Sequence, residues 1–216
     1  KTNKFNSSKS YLGPLSFEFS SGKQRLIVNC GTFAGENLEW KNSSLTNHAY
    51  STITINNTNP EFVDEQKYIE PPLRGNEENN TWVELRHHGY RKKFGLIHVR
   101  RIHTFYDGME ISGNDSVITL ENFDYNKKNV AVLRFHLHPS ISASIIGNNK
   151  EVLLRINKSQ GWLFKVNSSR TKVEESVYMG NRGIMKRSQQ ILVELDIVAQ
   201  KHELLWKFIR LPGKNI

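Results

Sequence analysis

Cysteine is almost absent from this 216-residue sequence, which contains only Cys30 and therefore cannot form an intrachain disulfide. Cys30 follows the apolar run "RLIV" and has no basic cluster or helix start around it, so we expect a buried free thiol at a strand end. No apolar run approaches the ~20 residues of a membrane-spanning helix. The polar opening "KTNKFNSSKS" lacks a hydrophobic segment, so we interpret residues 1–11 as a linker or the end of a preceding region, not a signal peptide.

Acidic residues are also in deficit, with 21 Asp and Glu against 30 Lys and Arg, which gives a formal net charge of +9. This excess favours an anionic partner, which could be nucleic acid, an acidic polysaccharide or an anionic membrane, and charge alone does not choose among them. Without a recognisable RNA or DNA motif we expect no nucleic-acid partner. The sequence has no nucleophile elbow, no glycine-rich phosphate loop and no zinc-finger spacing of Cys and His. These absences argue against hydrolase, nucleotide-binding and zinc-finger functions.

What the sequence does contain is a succession of about eleven short runs that alternate apolar and polar residues, such as "QRLIVNC", "TWVELRHH" and "HELLWKFIRL". Turn residues such as Asp107-Gly108 separate them, and no capped segment with helical periodicity exceeds a turn or two. The pattern predicts an all-β fold, a large antiparallel β-sandwich of about a dozen strands with little helix. Residues 56–80 form the longest irregular stretch, which we expect to be a surface excursion.

Two histidines, His136 and His138, lie two apart in "VLRFHLHPSI" and would share one face of a strand. A metal site needs a third ligand, which the sequence does not supply, so we interpret both as hydrogen-bonded histidines on a half-buried face. His98 and His103 are five apart and should point to opposite faces. We expect no metal and no cofactor.

Basic and aromatic residues are concentrated in "HHGYRKKFG" and "HVRR", where they could line a groove for a polyanion. Solvated charges that discourage pairing of edge strands are an equally good interpretation. The candidate substrate-binding residues are His88, Tyr90, Arg91 and Arg100.

Read in order, "GPLSFEFSSGKQRLIVNCGTF", "HAYSTITIN", "HHGYRKKFGLIHVRRI", "LRFHLHPSI" and "ESVYMGNRGIMKRSQQILVEL" resemble the C-terminal β-rich portion of the heparinase II/III family of polysaccharide lyases. The resemblance runs from about Leu12 to Leu211, so residues 12–216 would form the β-domain. It implies an α/α-toroid catalytic domain before this segment and a periplasmic or secreted enzyme. That enzyme would cleave uronic-acid polysaccharides by β-elimination.

The positions that resemble the family's catalytic and metal-binding residues carry different residue types here, namely Lys9, Tyr11, Asn29 and Tyr50. Amide and phenol groups are poor zinc ligands at neutral pH, so we expect no zinc. Tyrosine can act as a base or an acid, which leaves Tyr11 and Tyr50 as catalytic candidates, with His48 if the alignment shifts by two residues. We expect this segment to be inactive by itself, and the alternative function is a non-catalytic carbohydrate-binding or interaction module.

Overall fold

The computed structural model of the chain describes residues 13–61, 69–121, 123–147, 151–181 and 184–213. Across these ranges the chain forms fourteen strands and three short helical segments. The strands are β1 (Phe19–Ser21), β2 (Gln24–Val28), β3 (Ile53–Ile55), β4 (Leu73–Asn76), β5 (Asn80–His87), β6 (Leu96–Phe105), β7 (Glu110–Thr119), β8 (Val130–Leu137), β9 (Ser142–Ile146), β10 (Glu151–Arg155), β11 (Gly161–Val166), β12 (Thr171–Asn181), β13 (Ile184–Asp196) and β14 (Lys201–Arg210). The helical segments are α1 (Leu38–Ser44), a 3₁₀ turn (Asn47–Ala49) and the single turn α2 (Arg91–Phe94).

The strands form two antiparallel sheets. The six-stranded sheet has the order β1-β2-β8-β13-β12, with β3 also paired to β8, and the eight-stranded sheet has the order β4-β5-β6-β7-β14-β11-β10-β9. Residues from both sheets meet in one buried apolar cluster, so the sheets pack face to face. The predicted large antiparallel β-sandwich is confirmed.

Aromatic side chains fill the centre of the sandwich. Because successive residues of a strand point to opposite faces, Phe135 of β8 and both Trp206 and Phe208 of β14 face inward. The ring of Phe135 lies 5.1 Å from that of Trp206 and 5.4 Å from that of Phe208, both in edge-to-face contact. Such pairs contribute about 0.5–1.5 kcal/mol each beyond the area they bury. Gly113 of β7 lies under the Trp206 indole, where any Cβ would overlap the ring.

One edge of β8 is divided between two partners, and this division positions the loop that carries the candidate catalytic residues. β2 pairs with the end of β8 and β3 with its beginning. Between them, the amide of Arg134 donates to the carbonyl of Thr52 (3.0 Å), and the amide of His136 donates to the hydroxyl of Ser51 (2.9 Å). The backbone after the 3₁₀ turn is therefore fixed against the sheet.

The alternating sequence pattern did not predict three of the strands, β4, β9 and β12. The expectation that residues 56–80 lack regular structure is wrong for β4, which pairs with β5. All three lie at sheet edges, where a strand has one neighbour and buries fewer side chains, so its alternation is weaker. Within the described ranges, the helices are all too short or too polar to cross a membrane.

Candidate functional site

The 3₁₀ turn and the residue that follows it hold two of the catalytic candidates, His48 and Tyr50. Tyr50 is half-buried against the cluster of Cys30 and Met179, and burial raises the pKa of its hydroxyl. His48 is also half-buried, and burial lowers the pKa of its imidazole. Tyr11, the third candidate, lies outside the described residues. The structure thus places His48 within the 3₁₀ turn and Tyr50 directly after it, each in a partly desolvated setting.

The residues at the family's metal positions do not fit zinc. The side-chain carbonyl of Asn29 accepts a hydrogen bond from the amide of Ser51 (2.9 Å), which ties it to the loop that carries Tyr50. Over the described ranges, no three His, Cys, Asp or Glu side chains come together as a possible metal site. An amide and a phenol in place of carboxylate and imidazole leave no charged or soft donor for the ion.

The four candidate substrate-binding residues do not form one site. Tyr90 is only 1% exposed, and its hydroxyl donates to the carbonyl of Ile53 (3.1 Å); burial raises its pKa. His88 lies 2.7 Å from a carboxylate oxygen of Glu70, and Arg91 is exposed at the start of α2. Arg100 has no exposed surface. Only His88 and Arg91 therefore lie where a ligand could reach them.

Arg100 belongs to a buried polar network between the sheets that sequence reasoning missed. Its guanidinium donates to Asp115 (2.8 Å) and to the carbonyls of Leu15 (2.7 Å) and Ser51 (2.8 Å). Asp115 also accepts from the Trp206 indole (2.7 Å) and from His98 (2.6 Å). Burial alone would raise the pKa of Asp115, but Arg100 and His98 lower it to about 2. The network joins the loop around Ser51 to the eight-stranded sheet.

Hydrogen bonds fix the tautomers of both histidines in this network. The amide of Gly89 donates to Nδ1 of His87 (3.1 Å), so Nε2 carries the proton and donates to Nδ1 of His98 (3.1 Å). His98 in turn donates from Nε2 to Asp115. Burial lowers the pKa of both imidazoles, and that of His87 falls well below its usual value. The chain of neutral rings has a structural role, since both are fully buried.

The other histidine predictions agree with the structure. His136 donates from Nε2 to the carbonyl of His48 (2.8 Å), and its Nδ1 lies 2.9 Å from the Ser176 hydroxyl and 3.4 Å from Sγ of Cys30. His138 contacts the Ser140 hydroxyl at 2.8 Å. The prediction of hydrogen-bonded histidines is confirmed, and Cys30 is a buried free thiol. Burial raises the pKa of Cys30 to about 11, which makes it a poor nucleophile.

The outer surface of the eight-stranded sheet carries a row of polar, basic and aromatic side chains, which we call the Trp82 face. Strand register aligns its members side by side on five neighbouring strands. At a spacing of ~4.8 Å between strands, the row is about 19 Å long. The row is Trp82, His103, Ser112, Lys207 and Lys165. His103 lies here and His98 inside, which confirms that they occupy opposite faces.

Arg101 extends the Trp82 face beside this row. Its guanidinium lies 4.6 Å from the centre of the Trp82 ring and forms an ion pair with Glu84 (2.7 Å). A groove of about 560 Å³ runs next to it, and Arg101, Lys165 and Lys207 line it together with one acidic residue, Glu110. Aromatic surface, guanidinium and ammonium groups on one flat face can hold a ligand that combines ring surfaces with anionic groups.

The basic residues of the groove can exchange their present partners for a ligand. Lys207 lies 3.7 Å from the Glu110 carboxylate and Lys165 lies 2.6 Å from the Glu151 carboxylate, and all four side chains are partly exposed. Exposed ion pairs of this kind are worth about 0–1 kcal/mol. A carboxylate or sulfate of a ligand can therefore displace them at little cost.

Comparison with known proteins matches residues 2–207 to the C-terminal domain of heparinase II/III-like proteins. The structure superimposes on heparan sulfate lyase HepC from Pedobacter heparinus with a TM-score of 0.75 and 12% identity, over 93% of this chain and 31% of that one. It superimposes on heparinase III with a TM-score of 0.69 and 14% identity, over 93% of this chain and 30% of that one. At such low identity these likenesses establish the fold alone.

The chain is also similar to a curated protein that is not named as a lyase. FtsZ-localized protein C of Caulobacter vibrioides (strain NA1000 / CB15N) is 25% identical over 228 residues, which cover 93% of this chain and 37% of that protein. The chain thus spans little more than a third of this relative and under a third of the two lyases.

Proposed function

Because the chain belongs to the family of heparinase II/III-like C-terminal domains, we propose that it is the β-domain of a longer protein and binds acidic polysaccharide without cleaving it by itself. In that longer protein an α/α-toroid would precede it and supply the groove for β-elimination of uronic-acid polysaccharides. The proposal locates the longer protein in the periplasm or outside the cell, where such polysaccharides occur.

The observation that carries the binding proposal is the composition of the Trp82 face. Sugar rings present C–H groups that pack on an indole, and uronate or sulfate groups pair with Arg and Lys. Trp82 and Arg101 are stacked, and Lys165 and Lys207 lie along the adjoining groove. The net positive charge of the chain strengthens the attraction to a polyanion.

The proposed lack of cleavage is supported by where the described candidate groups lie. β-Elimination needs a cation or hydrogen-bond donor for the uronate, a base for the C5 proton and an acid for the leaving oxygen. Arg100 and Tyr90 are buried in hydrogen-bonded positions, so they cannot reach a sugar without disrupting the core. The raised pKa of Tyr50 disfavours the phenolate that a base would require at neutral pH.

Titration calorimetry with a heparin oligosaccharide tests the binding proposal. The double variant Lys165→Gln/Lys207→Gln should bind at least about tenfold more weakly, or ~1.4 kcal/mol, while Glu110→Gln should bind more tightly because it removes a competing carboxylate. The matched control Lys127→Gln/Lys128→Gln removes the same charge from an exposed loop and should retain most of the affinity. Equal losses in both double variants would show that only overall charge matters.

Cleavage is tested separately. Incubation with heparin, heparan sulfate and alginate should give no rise in the ultraviolet absorbance of unsaturated uronate. A clear rise with this chain alone contradicts the non-catalytic proposal.

A second candidate function is association with FtsZ. The chain is 25% identical to a relative named for its FtsZ localisation and only 12–14% identical to HepC and heparinase III. Sedimentation of the chain with FtsZ polymers tests it. Co-sedimentation that heparin does not compete away favours this candidate, and recovery of the chain in the supernatant removes it.

A further inference from the structure

A second cavity lies on the outer surface of the six-stranded sheet, on the other side of the sandwich from the Trp82 face. It has a volume of about 500 Å³ and lies between α1, the 3₁₀ turn and strands β8, β12 and β13. The side chains that matter for its chemistry are Trp40, His48, His136, Glu175, Ser176 and Gln190. We call it the Trp40 cavity.

One side of the Trp40 cavity is an aromatic and apolar wall. Asn37 caps α1 by accepting a hydrogen bond from the amide of Trp40 (3.0 Å), which fixes the start of this helix. The Trp40 side chain remains 36% exposed, although it lines the cavity. Ala49 and Met179, which belong to a buried apolar cluster, line the cavity as well. The lining therefore combines a partly exposed aromatic ring with apolar side chains, as ligand pockets commonly do.

The opposite side offers a few hydrogen-bonding groups. The Ser176 hydroxyl lies 2.9 Å from Nδ1 of His136, whose other nitrogen donates to the carbonyl of His48. The side-chain carbonyl oxygen of Gln190 is buried, and within the described part of the chain it has no hydrogen-bond partner. A buried acceptor without a partner is unfavourable. Because Gln190 lines the cavity, a rotation of its amide toward the cavity would let this oxygen accept a hydrogen bond from a ligand hydroxyl.

Most of the residues that line the cavity are of uncharged types at neutral pH. Burial lowers the pKa of His136 to about 4 and raises that of Cys30 to about 11, so both are neutral. Burial also lowers the pKa of His48. Of the described residues that line the cavity, Glu175 alone belongs to a type that is charged at pH 7, and no Lys or Arg is among them. The lining thus offers no cation that could pair with a carboxylate, which suits a neutral, hydroxyl-rich ligand better than a uronate.

We propose that the Trp40 cavity binds an uncharged pyranose ring, which stacks its C–H face on Trp40 and donates a hydroxyl to Gln190. This site is separate from the acidic polysaccharide site of the proposed function: it uses the other sheet, another tryptophan and a ligand without charge. A chain with both sites can engage an acidic and a neutral sugar at once.

Ligand-observed saturation-transfer NMR with glucose and N-acetylglucosamine tests the proposal, because its signal does not depend on a protein tryptophan. The wild type should show saturable binding of at least one sugar, and Trp40→Ala should weaken it at least about tenfold. Gln190→Met, which keeps the side-chain volume, should weaken it as well. Tyr106→Ala is the matched control: it removes an exposed aromatic ring outside both proposed sites and should bind as the wild type does.

Wild-type protein that binds neither sugar, or Trp40→Ala protein that is folded and binds equally well, overturns the proposal. Glucuronate supplies a further check: it should bind the wild type more weakly than glucose, because no Lys or Arg lines the cavity to pair with its carboxylate. Equal binding of glucuronate and glucose to the wild type contradicts the assignment to an uncharged ligand. Heparin binding measured on the same samples reports separately on the Trp82 face.

Discussion

Replacing Asp115 with Asn is the most informative test of the buried network, because the two side chains have the same shape. Asp115 accepts hydrogen bonds from three donors, with Oδ1 facing His98 and Arg100 and Oδ2 facing Trp206. The amide of Asn has one acceptor oxygen, so its NH₂ group would meet an N–H donor. The substitution also leaves the Arg100 guanidinium buried without its counter-charge.

The expected loss follows from these contacts. Breaking a buried ion pair by removing one partner costs about 3–5 kcal/mol. A domain of this kind has a total stability of only about 5–15 kcal/mol, so Asp115→Asn should shift the guanidinium chloride midpoint strongly or leave the chain largely unfolded. Trp206, which donates to Asp115, provides a fluorescence signal for the transition.

Asp196→Asn is the matched control for this measurement. Asp196 pairs with Arg170 at 2.7 Å, and both side chains are about two-fifths exposed. An exposed pair is worth about 0–1 kcal/mol, so the control should change the free energy of unfolding by no more than that. If Asp115→Asn costs no more than Asp196→Asn, the account of a network that joins the Ser51 loop to the eight-stranded sheet is refuted.

Three further predictions concern stability and metal. The free energy of unfolding should fall as the pH drops from 7 to 5, because burial sets the folded pKa values of His87, His98 and His136 below their unfolded value near 6.5. The unfolded chain therefore takes up more of these protons than the folded chain, each imidazole can contribute up to ~1.4 kcal/mol per pH unit, and a flat profile of urea midpoints would contradict this. Gly113→Ala should lower stability by about 1–3 kcal/mol in thermal unfolding, because the new methyl group overlaps the Trp206 indole, and an unchanged melting temperature would show that the ring can move aside. The purified chain should contain no stoichiometric zinc, and a chelator should leave its melting temperature unchanged; about one zinc per chain by elemental analysis would show that the metal positions were misassigned.

The fold was predictable wherever a strand has two neighbours. In β8 and β14 the inward residues are apolar and the pattern is clear, as for Phe135 and Trp206. The edge strands β4, β9 and β12 were missed because one neighbour imposes less burial and hence less alternation. Their pairing depends on which strand lies beside them, which a local pattern does not encode.

The candidate site was less predictable, as Arg100 and Arg101 illustrate. Adjacent strand residues face opposite sides, so one of the two had to point inward, and sequence reasoning kept Arg100 as a ligand contact. The sequence of β7 could have indicated the inward residue. Asp115 shares a face with the apolar residues Ile111 and Val117, which are buried, and a buried carboxylate needs a cationic partner such as Arg100. The Trp40 cavity combines α1 with strands more than 90 residues away, so only the folded chain reveals it.

Nitrogen-15 NMR of the four tryptophan indole groups tests the central proposal most directly, because Trp162 and Trp206 are buried and the other two mark separate faces. Titration with a heparin oligosaccharide should shift the indole signal of Trp82 and leave that of Trp40 in place, with the shift lost in Lys165→Gln/Lys207→Gln. No shift at Trp82, or a shift that persists unchanged in the double variant, would contradict the proposal that this face binds acidic polysaccharide.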